Sequence, residues 1–184
     1  MSCCRLETER LLLRAQGADD IPQIVPLLND YDVSKNLSRV PHPYTEDDAK
    51  GFLARGAEDR ARGQAYPFAL TLKGGGQLIG GCGLRLQDDG VFEIGYWLGK
   101  PFWGHGYASE GARRVAAFAF RDLKATVLKA GWFHDNPASG RVLEKLGAVP
   151  AGMDHRDCLA RGHAVYCHVV VLDRENFGRK KLAS

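Results

Sequence analysis

The residues whose types and spacing most clearly suggest a ligand-binding site form a short glycine-rich turn. The turn reads Trp103, Gly104, His105, Gly106, Tyr107, Ala108 and Ser109. Glycine allows positive φ and has no Cβ, so successive backbone N–H groups can converge on one cluster of oxygens. A strand-like run at 92–98 precedes the turn and a helix-like run at 110–120 follows it. The dipole of such a helix places about half a positive charge at its N-terminus, next to the turn. The order of strand, glycine turn and helix predicts a site for a phosphorylated ligand.

The segments around this turn predict one mixed α/β domain. Turns at 74–76 and 88–90 separate three strand-like runs, which favours an antiparallel meander. Helical periodicity and N-cap residues predict helices at 19–28, 45–63, 108–122 and 137–146. Alternation and turn signals predict strands at 9–15, 66–73, 77–86, 91–98, 125–133, 148–153 and 163–172, with a polar loop at 154–162. We therefore expect a single domain over 1–184, with its core at about 9–172 and no linker or repeat.

Composition narrows the class of protein. The formal net charge is +3 and the basic residues are scattered, which does not favour a nucleic-acid-binding domain. No run approaches the roughly 18–20 apolar residues of a membrane span. Five cysteines without a C-x-x-C pair argue against a disulfide framework or a structural zinc site. We expect a soluble, cytoplasmic protein, and the sequence leaves monomer and homodimer open.

Two nucleotide-binding alternatives fit the turn poorly. The dinucleotide fingerprint G-x-G-x-x-G is incomplete, because Ser109 stands at its third glycine. That fingerprint also follows the first strand of a parallel βαβ unit, whereas here an antiparallel meander precedes it. The phosphate-binding signature G-x-x-x-x-G-K-[ST] is absent from the sequence.

Several motifs together resemble the GNAT superfamily of acyl-CoA-dependent N-acyltransferases. The run 93–110 (EIGYWL…WGHGYASE), then 136–139 (NPAS) and 142–148 (VLEKLGA), is similar to the branch containing ribosomal-protein-alanine N-acetyltransferases. The general loop pattern of the superfamily begins with Arg or Gln, where this chain has Trp103; a Trp-Gly loop is usual in that branch. The resemblance implies a GNAT fold: a mixed, mostly antiparallel sheet of about seven strands, splayed between strands 4 and 5, with about four flanking helices.

The resemblance also implies acetyl-CoA as cosubstrate and no metal. The loop at 103–109 would hold the pyrophosphate, and Asn136 and Ser139 would contact the pantetheine arm. Gly95 interrupts its strand, and an internal glycine often marks a bulge or a close backbone approach. By resemblance the bulge would splay the two strands, so that the backbone of Ile94, Gly95 and Tyr96 meets the thioester; a packing glycine is the alternative.

The catalytic candidates follow from the chemistry of amine acetylation. The amine must lose a proton and the leaving thiolate benefits from a donor. Glu93 is the acid in the strand beside the gap, so we expect it to act as base or to orient a water; it could instead hold a neighbouring strand. The family often has a Tyr seven residues after the Asn, where this chain has Leu143. The resemblance assigns the thiolate donor to Ser139, which could also simply cap its helix.

The acceptor site has no specific signature. By resemblance, the loop 38–46 and the region 154–166 would wall the acceptor cleft, with Arg39, His42, Tyr44 and Tyr166 as contacts. The resemblance thus implies acetyl transfer from acetyl-CoA to a primary amine, either a protein N-terminus or a small amine. A non-catalytic acyl-CoA-binding module is the alternative, since the usual Tyr is missing, and a nucleotide-binding oxidoreductase is a third.

Overall fold

One open sheet of eight strands carries the whole structure. The computed structural model describes the backbone of residues 5–182 and the side chains of residues 5–179. The strands are β1 (Leu6–Glu7), β2 (Leu11–Arg14), β3 (Ala65–Leu72), β4 (Leu78–Leu86), β5 (Phe92–Leu98), β6 (Val127–Phe133), β7 (Val149–Cys158) and β8 (His163–Asp173). Their spatial order is β1-β2-β3-β4-β5-β6-β8-β7, and every neighbouring pair is antiparallel except β5 and β6.

Helices cover both faces of this sheet. They are α1 (Ile21–Leu28), α2 (Tyr31–Ser34), α3 (Glu46–Ala61), α4 (Tyr107–Arg121), α5 (Pro137–Leu146) and α6 (Arg174–Leu182). We call the face that carries Glu93 and Trp97 the front face; Trp97 packs there in a cluster with α1 and α3. The opposite, or back, face carries Ile94 and Tyr96, which pack against α4 and α5 in the largest core cluster. In that cluster Val115 of α4 is fully buried.

The parallel strands β5 and β6 separate soon after they meet. They pair Phe92 with Leu128 and Glu93 with Lys129, and the rest of each strand diverges. The predicted meander of β3, β4 and β5 and the predicted splayed sheet are both confirmed. Because Leu6–Glu7 forms an additional short strand, the splay lies between the fifth and sixth strands rather than the fourth and fifth.

Several boundaries differ from the sequence predictions. Strand β7 continues to Cys158 and pairs with β8, so the predicted loop 154–162 is wrong over its first half. The residues of this edge strand are mostly exposed, so its sequence lacks the alternation of apolar and polar residues that predicts a strand. The chain also forms α2 and α6, two helices beyond the four expected. The predicted bulge at Gly95 is absent from the β4–β5 pair, whose register is unbroken with Gly83 opposite Gly95.

Two expectations from composition concern the cysteines and membrane-spanning segments. Cys82, Cys158 and Cys167 are buried free thiols, while Cys3 and Cys4 lie outside the described residues. Within residues 5–182, none of the helices has the length and apolar character that crossing a bilayer requires.

Candidate active site

The glycine turn takes the form that an anion site requires. Gly104 and Gly106 have φ of 80° and 81°, a left-handed conformation that other residues adopt only with strain. The indole Nε1–H of Trp103 donates to the carbonyl of Leu98 at 2.8 Å, which fastens the turn to the end of β5. Helix α4 begins at Tyr107, and its first N–H groups have no partner within the helix. The turn therefore presents unpaired donors at a positive helix terminus.

An arginine that the sequence analysis did not single out organises this turn. The Arg10 Nε donates to Oε2 of Glu110 at 2.7 Å, and its Nη1 donates to the His105 carbonyl at 3.0 Å. Thr8 Oγ1 and the Arg10 backbone N–H donate to the other oxygen of Glu110. Local spacing offers no signal for this contact, because about a hundred residues separate its partners. These bonds, which we call the clasp between Arg10 and Glu110, fix the first turn of α4 and neutralise the Glu110 carboxylate beside the candidate anion site.

The opening between β5 and β6 exposes backbone polar groups of β5. The Gly99 N–H donates to the Ile79 carbonyl, and the register of β4 and β5 is unbroken from there to Phe92. Because backbone groups alternate along an antiparallel strand, those of Ile94 and Tyr96 point away from β4 and toward β6. The parallel pair of Glu93 with Lys129 engages the Ile94 N–H, so the Ile94 carbonyl and the Tyr96 N–H are the groups that face the opening. A Cβ built at Gly95 would meet nothing within 4 Å. The packing-glycine alternative therefore has no support from a close neighbour.

Helix α5 borders the other side of the opening. Asn136 caps this helix, because its side-chain oxygen accepts from the Ser139 N–H at 3.3 Å, and Gly147 ends it in the left-handed conformation. The Tyr96 phenol reaches across from β5 and lies 2.8 Å from the Ser139 carbonyl and 3.0 Å from its Oγ. Burial raises the pKa of Tyr96 well above its usual range, and the bond with Ser139 offsets part of that rise.

These features fit coenzyme A. Pyrophosphate needs converging N–H groups, which the turn at 104–109 supplies, and the pantetheine amides need extended backbone partners, which Ile94 and Tyr96 supply. The open space at Gly95 leaves room for an extended arm. Among residues 5–179, no group of three or more His, Cys, Asp or Glu side chains could hold a metal ion.

Glu93 lies on the front face in an ion pair with Arg156. Arg156 starts from β7, and its side chain crosses two strands and passes over Gly131, where a Cβ would lie 3.4 Å from its Cζ. Burial alone would lower the pKa of Arg156, but the bond and charge of Glu93 outweigh it and raise the pKa. One Glu93 oxygen, Oε1, accepts from Arg156, and within the described residues Oε2 accepts no hydrogen bond. Glu93 thus ties β5 to β7 through Oε1, while Oε2 can still accept a hydrogen bond.

The four predicted acceptor contacts do not form one group. Arg39 is exposed and lies within electrostatic reach of Glu93: desolvation and the charge of Arg85 lower the pKa of Arg39, and Glu93 opposes them. His42 is also exposed and packs edge-on against the Tyr31 ring.

The two tyrosines among these four lie elsewhere. Tyr44 is 5% exposed in the cluster between α1 and α3, and burial raises its pKa to about 12. Tyr166 pairs with His155 in the β7–β8 register, and alternation from Val165, which pairs with Arg156, puts Tyr166 on the back face, away from Glu93. The structure thus brings Arg39 near Glu93 and separates Tyr166 from both.

Two further residue pairs, His163 with His168 and His134 with Asp135, carry side chains of the types that bind metals or take part in catalysis. His163 and His168 are five residues apart on β8 and therefore face opposite sides of the sheet. Asp135, next to His134, accepts hydrogen bonds from Arg161 at 2.7 and 3.0 Å, which lower the pKa of Asp135. This carboxylate is thus occupied in a surface ion pair.

Comparisons with known proteins agree with this geometry. The profile of the family described as "Acetyltransferase (GNAT) domain" matches residues 10–149. The chain is 29% identical over 177 residues to "Uncharacterized N-acetyltransferase p20" of Bacillus licheniformis, covering 94% of this chain and 98% of that protein.

Two solved structures share the fold at lower identity. One is the ribosomal L7/L12 alpha-N-protein acetyltransferase RimL in complex with coenzyme A, at 17% identity and a TM-score of 0.79, covering 92% of this chain and 98% of that one. The other is the ribosomal-protein-S5-alanine acetyltransferase of Vibrio fischeri, at 18% identity and a TM-score of 0.80, covering 95% and 98%. The branch suggested by the sequence motifs is thus among the structural neighbours.

Proposed function

Because the chain belongs to the GNAT family of acetyltransferases, which use acetyl-CoA, we propose that it acetylates a primary amine by direct attack on the thioester in a ternary complex. The observation that carries this proposal is the opening between β5 and β6, which is flanked by the glycine turn that follows β5 and by Ser139 in the helix that follows β6. The backbone N–H of Tyr96 faces the opening and would meet the thioester carbonyl as its oxygen gains negative charge.

The proposed chemistry assigns one role to each side of the sheet. The amine nitrogen attacks the carbonyl carbon, the carbon–sulfur bond breaks, and its electron pair leaves with sulfur. Glu93 accepts the proton of the attacking amine, directly or through a water at its free Oε2. On the back face, the Ser139 hydroxyl donates a hydrogen bond to the leaving thiolate.

For the acceptor we propose a protein N-terminus, and the small amine remains the competing class. The support is the likeness in fold to RimL and to the S5-alanine acetyltransferase, whose names state that kind of acceptor. Arg39, His42 and the turn after β7 border the front face, where the Leu159 N–H donates to the Ser38 carbonyl and holds loop and turn together. The predicted roles of Tyr44 and Tyr166 as acceptor contacts have weaker support, because one is buried and the other lies on the back face.

Thiol release from acetyl-CoA, measured with a panel of peptides and small amines, tests the proposal. We expect turnover above background hydrolysis with at least one amine. If CoA raises the melting temperature but no amine accelerates thiol release, the non-catalytic binding module is the better description.

A second comparison separates the two interpretations of Glu93. A general base contributes roughly 10²–10⁴-fold, so Glu93→Gln should lower kcat by about that factor at an unchanged melting temperature. Arg156→Gln, which breaks the same ion pair, should lower kcat much less, and Glu58→Gln on the exposed face of α3 serves as the control. If Glu93→Gln and Arg156→Gln lower the melting temperature equally and leave kcat alike, Glu93 only holds the strands together.

A further inference from the structure

The Tyr96 phenol makes two contacts with a single residue, Ser139. Its Oη lies 2.8 Å from the Ser139 carbonyl oxygen and 3.0 Å from the Ser139 Oγ. A carbonyl oxygen can only accept, so the phenol O–H donates to it. The contact between the two hydroxyls is then completed by the Ser139 O–H, which donates to the Tyr96 Oη. The position of the serine hydroxyl is thus set by an atom on another element of the fold.

These contacts cross the opening that the proposed function uses. Tyr96 belongs to β5 and Ser139 to the first turn of α5, and the backbone of Tyr96 points into the space between β5 and β6. The phenol therefore ties the two walls of the opening together on the back face. Ser139 already has its backbone N–H bound to the Asn136 cap, so its remaining freedom is the rotation of its hydroxyl.

The surroundings of Tyr96 keep its hydroxyl neutral. Cys82 lies directly opposite Tyr96 on β4 and is 3% exposed, and burial raises the pKa of both groups. A phenol that holds its proton this firmly is a poor acid but a dependable hydrogen-bond partner. Leu143, one turn further along α5 than Ser139, is 1% exposed in the core and has no donor to offer.

We propose that Tyr96 is a positioning residue that holds the Ser139 hydroxyl ready for the leaving thiolate. This inference rests on the proposed function. As the carbon–sulfur bond breaks and the electron pair stays on sulfur, the Ser139 O–H turns from the Tyr96 Oη to the sulfur. The Tyr96 O–H can then shift from the Ser139 carbonyl to a lone pair of the Ser139 Oγ, which strengthens the serine as a donor. No proton leaves Tyr96; the thiolate later receives the proton that the amine released.

The first test is a double-mutant cycle with Tyr96→Phe, Ser139→Ala and both together. If Tyr96 acts through Ser139, Tyr96→Phe lowers kcat about tenfold in the wild-type background and has no effect in the Ser139→Ala background, because coupled residues are non-additive. The KM for acetyl-CoA and the melting temperature should stay close to the wild-type values. Tyr66→Phe, which removes a phenol hydroxyl two strands away on the same face, is the matched control.

The second test does not depend on turnover. Free CoA is bound at saturation and its thiolate absorption is followed against pH in the wild type and in each variant. A donor aimed at sulfur favours the thiolate, so the midpoint should rise by about one pH unit in Tyr96→Phe, equivalent to a tenfold effect. Ser139→Ala and the double variant should share one midpoint.

The outcomes separate this inference from the proposed function. If the wild type acetylates amines but Tyr96→Phe leaves both kcat and the thiolate midpoint unchanged, the inference is wrong and the function stands. Multiplicative effects of Tyr96→Phe and Ser139→Ala would also overturn it, because the two residues would then act independently. If the wild type acetylates no amine, the proposed function fails first.

Discussion

The clasp between Arg10 and Glu110 leads to a quantitative prediction about coenzyme A affinity. Arg10→Ala removes the guanidinium bonds to Glu110 and to the His105 carbonyl, and the packing of Arg10 over the Tyr107 ring at 4.5 Å. The backbone N–H of residue 10 and the Thr8 hydroxyl stay in place. Glu110 therefore keeps its position in the first turn of α4 but loses its counter-charge.

The size of the loss in CoA affinity follows from the charge of Glu110 once Arg10 no longer pairs with it. Burial alone would raise its pKa, but the bonds from Thr8 and Arg10 outweigh it, so the pKa of Glu110 lies below its usual value. An ionised carboxylate without a partner competes with phosphate for the same helix N-terminus. Such a charge is worth about 0.3–1 kcal/mol, and up to about 2 kcal/mol when partly buried. With Glu110 only 17% exposed, we expect about 1–2 kcal/mol, which weakens CoA binding roughly 5–30-fold.

Calorimetric titration with CoA measures this directly. Arg10→Ala should bind about 5–30-fold more weakly than wild type, and the double variant Arg10→Ala, Glu110→Gln should regain most of the affinity because the competing charge is gone. Arg114→Ala removes one positive charge from the same helix without touching the turn and should bind as wild type does. Equal affinities of Arg10→Ala and wild type, or a double variant no better than Arg10→Ala, would refute the reasoning.

Three further predictions concern the turn, the fold and the front face. Gly106→Val should reduce CoA affinity strongly in the same titration, since residue 106 has φ of 81° at the start of α4 and a β-branched residue adopts that conformation only with strain; unchanged affinity would place the site elsewhere. Asp20→Asn should cost about 2–3 kcal/mol in denaturant unfolding, because Asp20 is 2% exposed and accepts two bonds from a partly exposed Arg14. Burial alone would raise the pKa of Asp20, but the bonds from Arg14 and the Gly17 N–H outweigh burial and lower this pKa. The stabilisation is therefore complete above the unfolded pKa near 3.8 and is lost as pH falls through the lower folded pKa. This loss should be missing from the acid unfolding curve of the variant. Gly131→Ala should lower the melting temperature, since its Cβ would lie 2.8 Å from the Cys167 Sγ and 3.0 Å from the His168 carbonyl oxygen, whereas the Arg156 Cζ at 3.4 Å can stay in place and kcat should fall no more than in Arg156→Gln; an unchanged melting temperature would show that the sheet accommodates the methyl group.

The sequence predicts those parts of the fold whose signals are local. Helix α5 is the clearest case, because Asn136 at its N-cap and Gly147 after its end mark both boundaries, and the structure places the helix between them. The meander is equally local, since turn residues separate its strands. Strand β7 is different: its residues are exposed on the sheet edge, and only the partner strand β8 shows that 154–158 is extended.

The same difference between local and long-range signals decides which parts of the candidate site the sequence predicts. Glycines with positive φ and a following helix can be read from the sequence, so the turn at 103–109 was predicted in place. Arg10, Arg156 and the Tyr96 phenol could not be assigned, because each acts on a residue 43 to 100 positions away. Their roles depend on strand order and on close approaches such as that of Arg156 to Gly131, which are properties of the assembled sheet.

The mass of the acceptor after incubation with acetyl-CoA is the most direct test of the central claim. The account predicts that a peptide with a free N-terminus or a small primary amine gains one acetyl group on nitrogen, with one free CoA thiol released for each, and that Gly106→Val abolishes the gain at low acetyl-CoA. The result that would contradict it is a protein that binds CoA and is stabilised by it, yet leaves the mass of every amine in the panel unchanged.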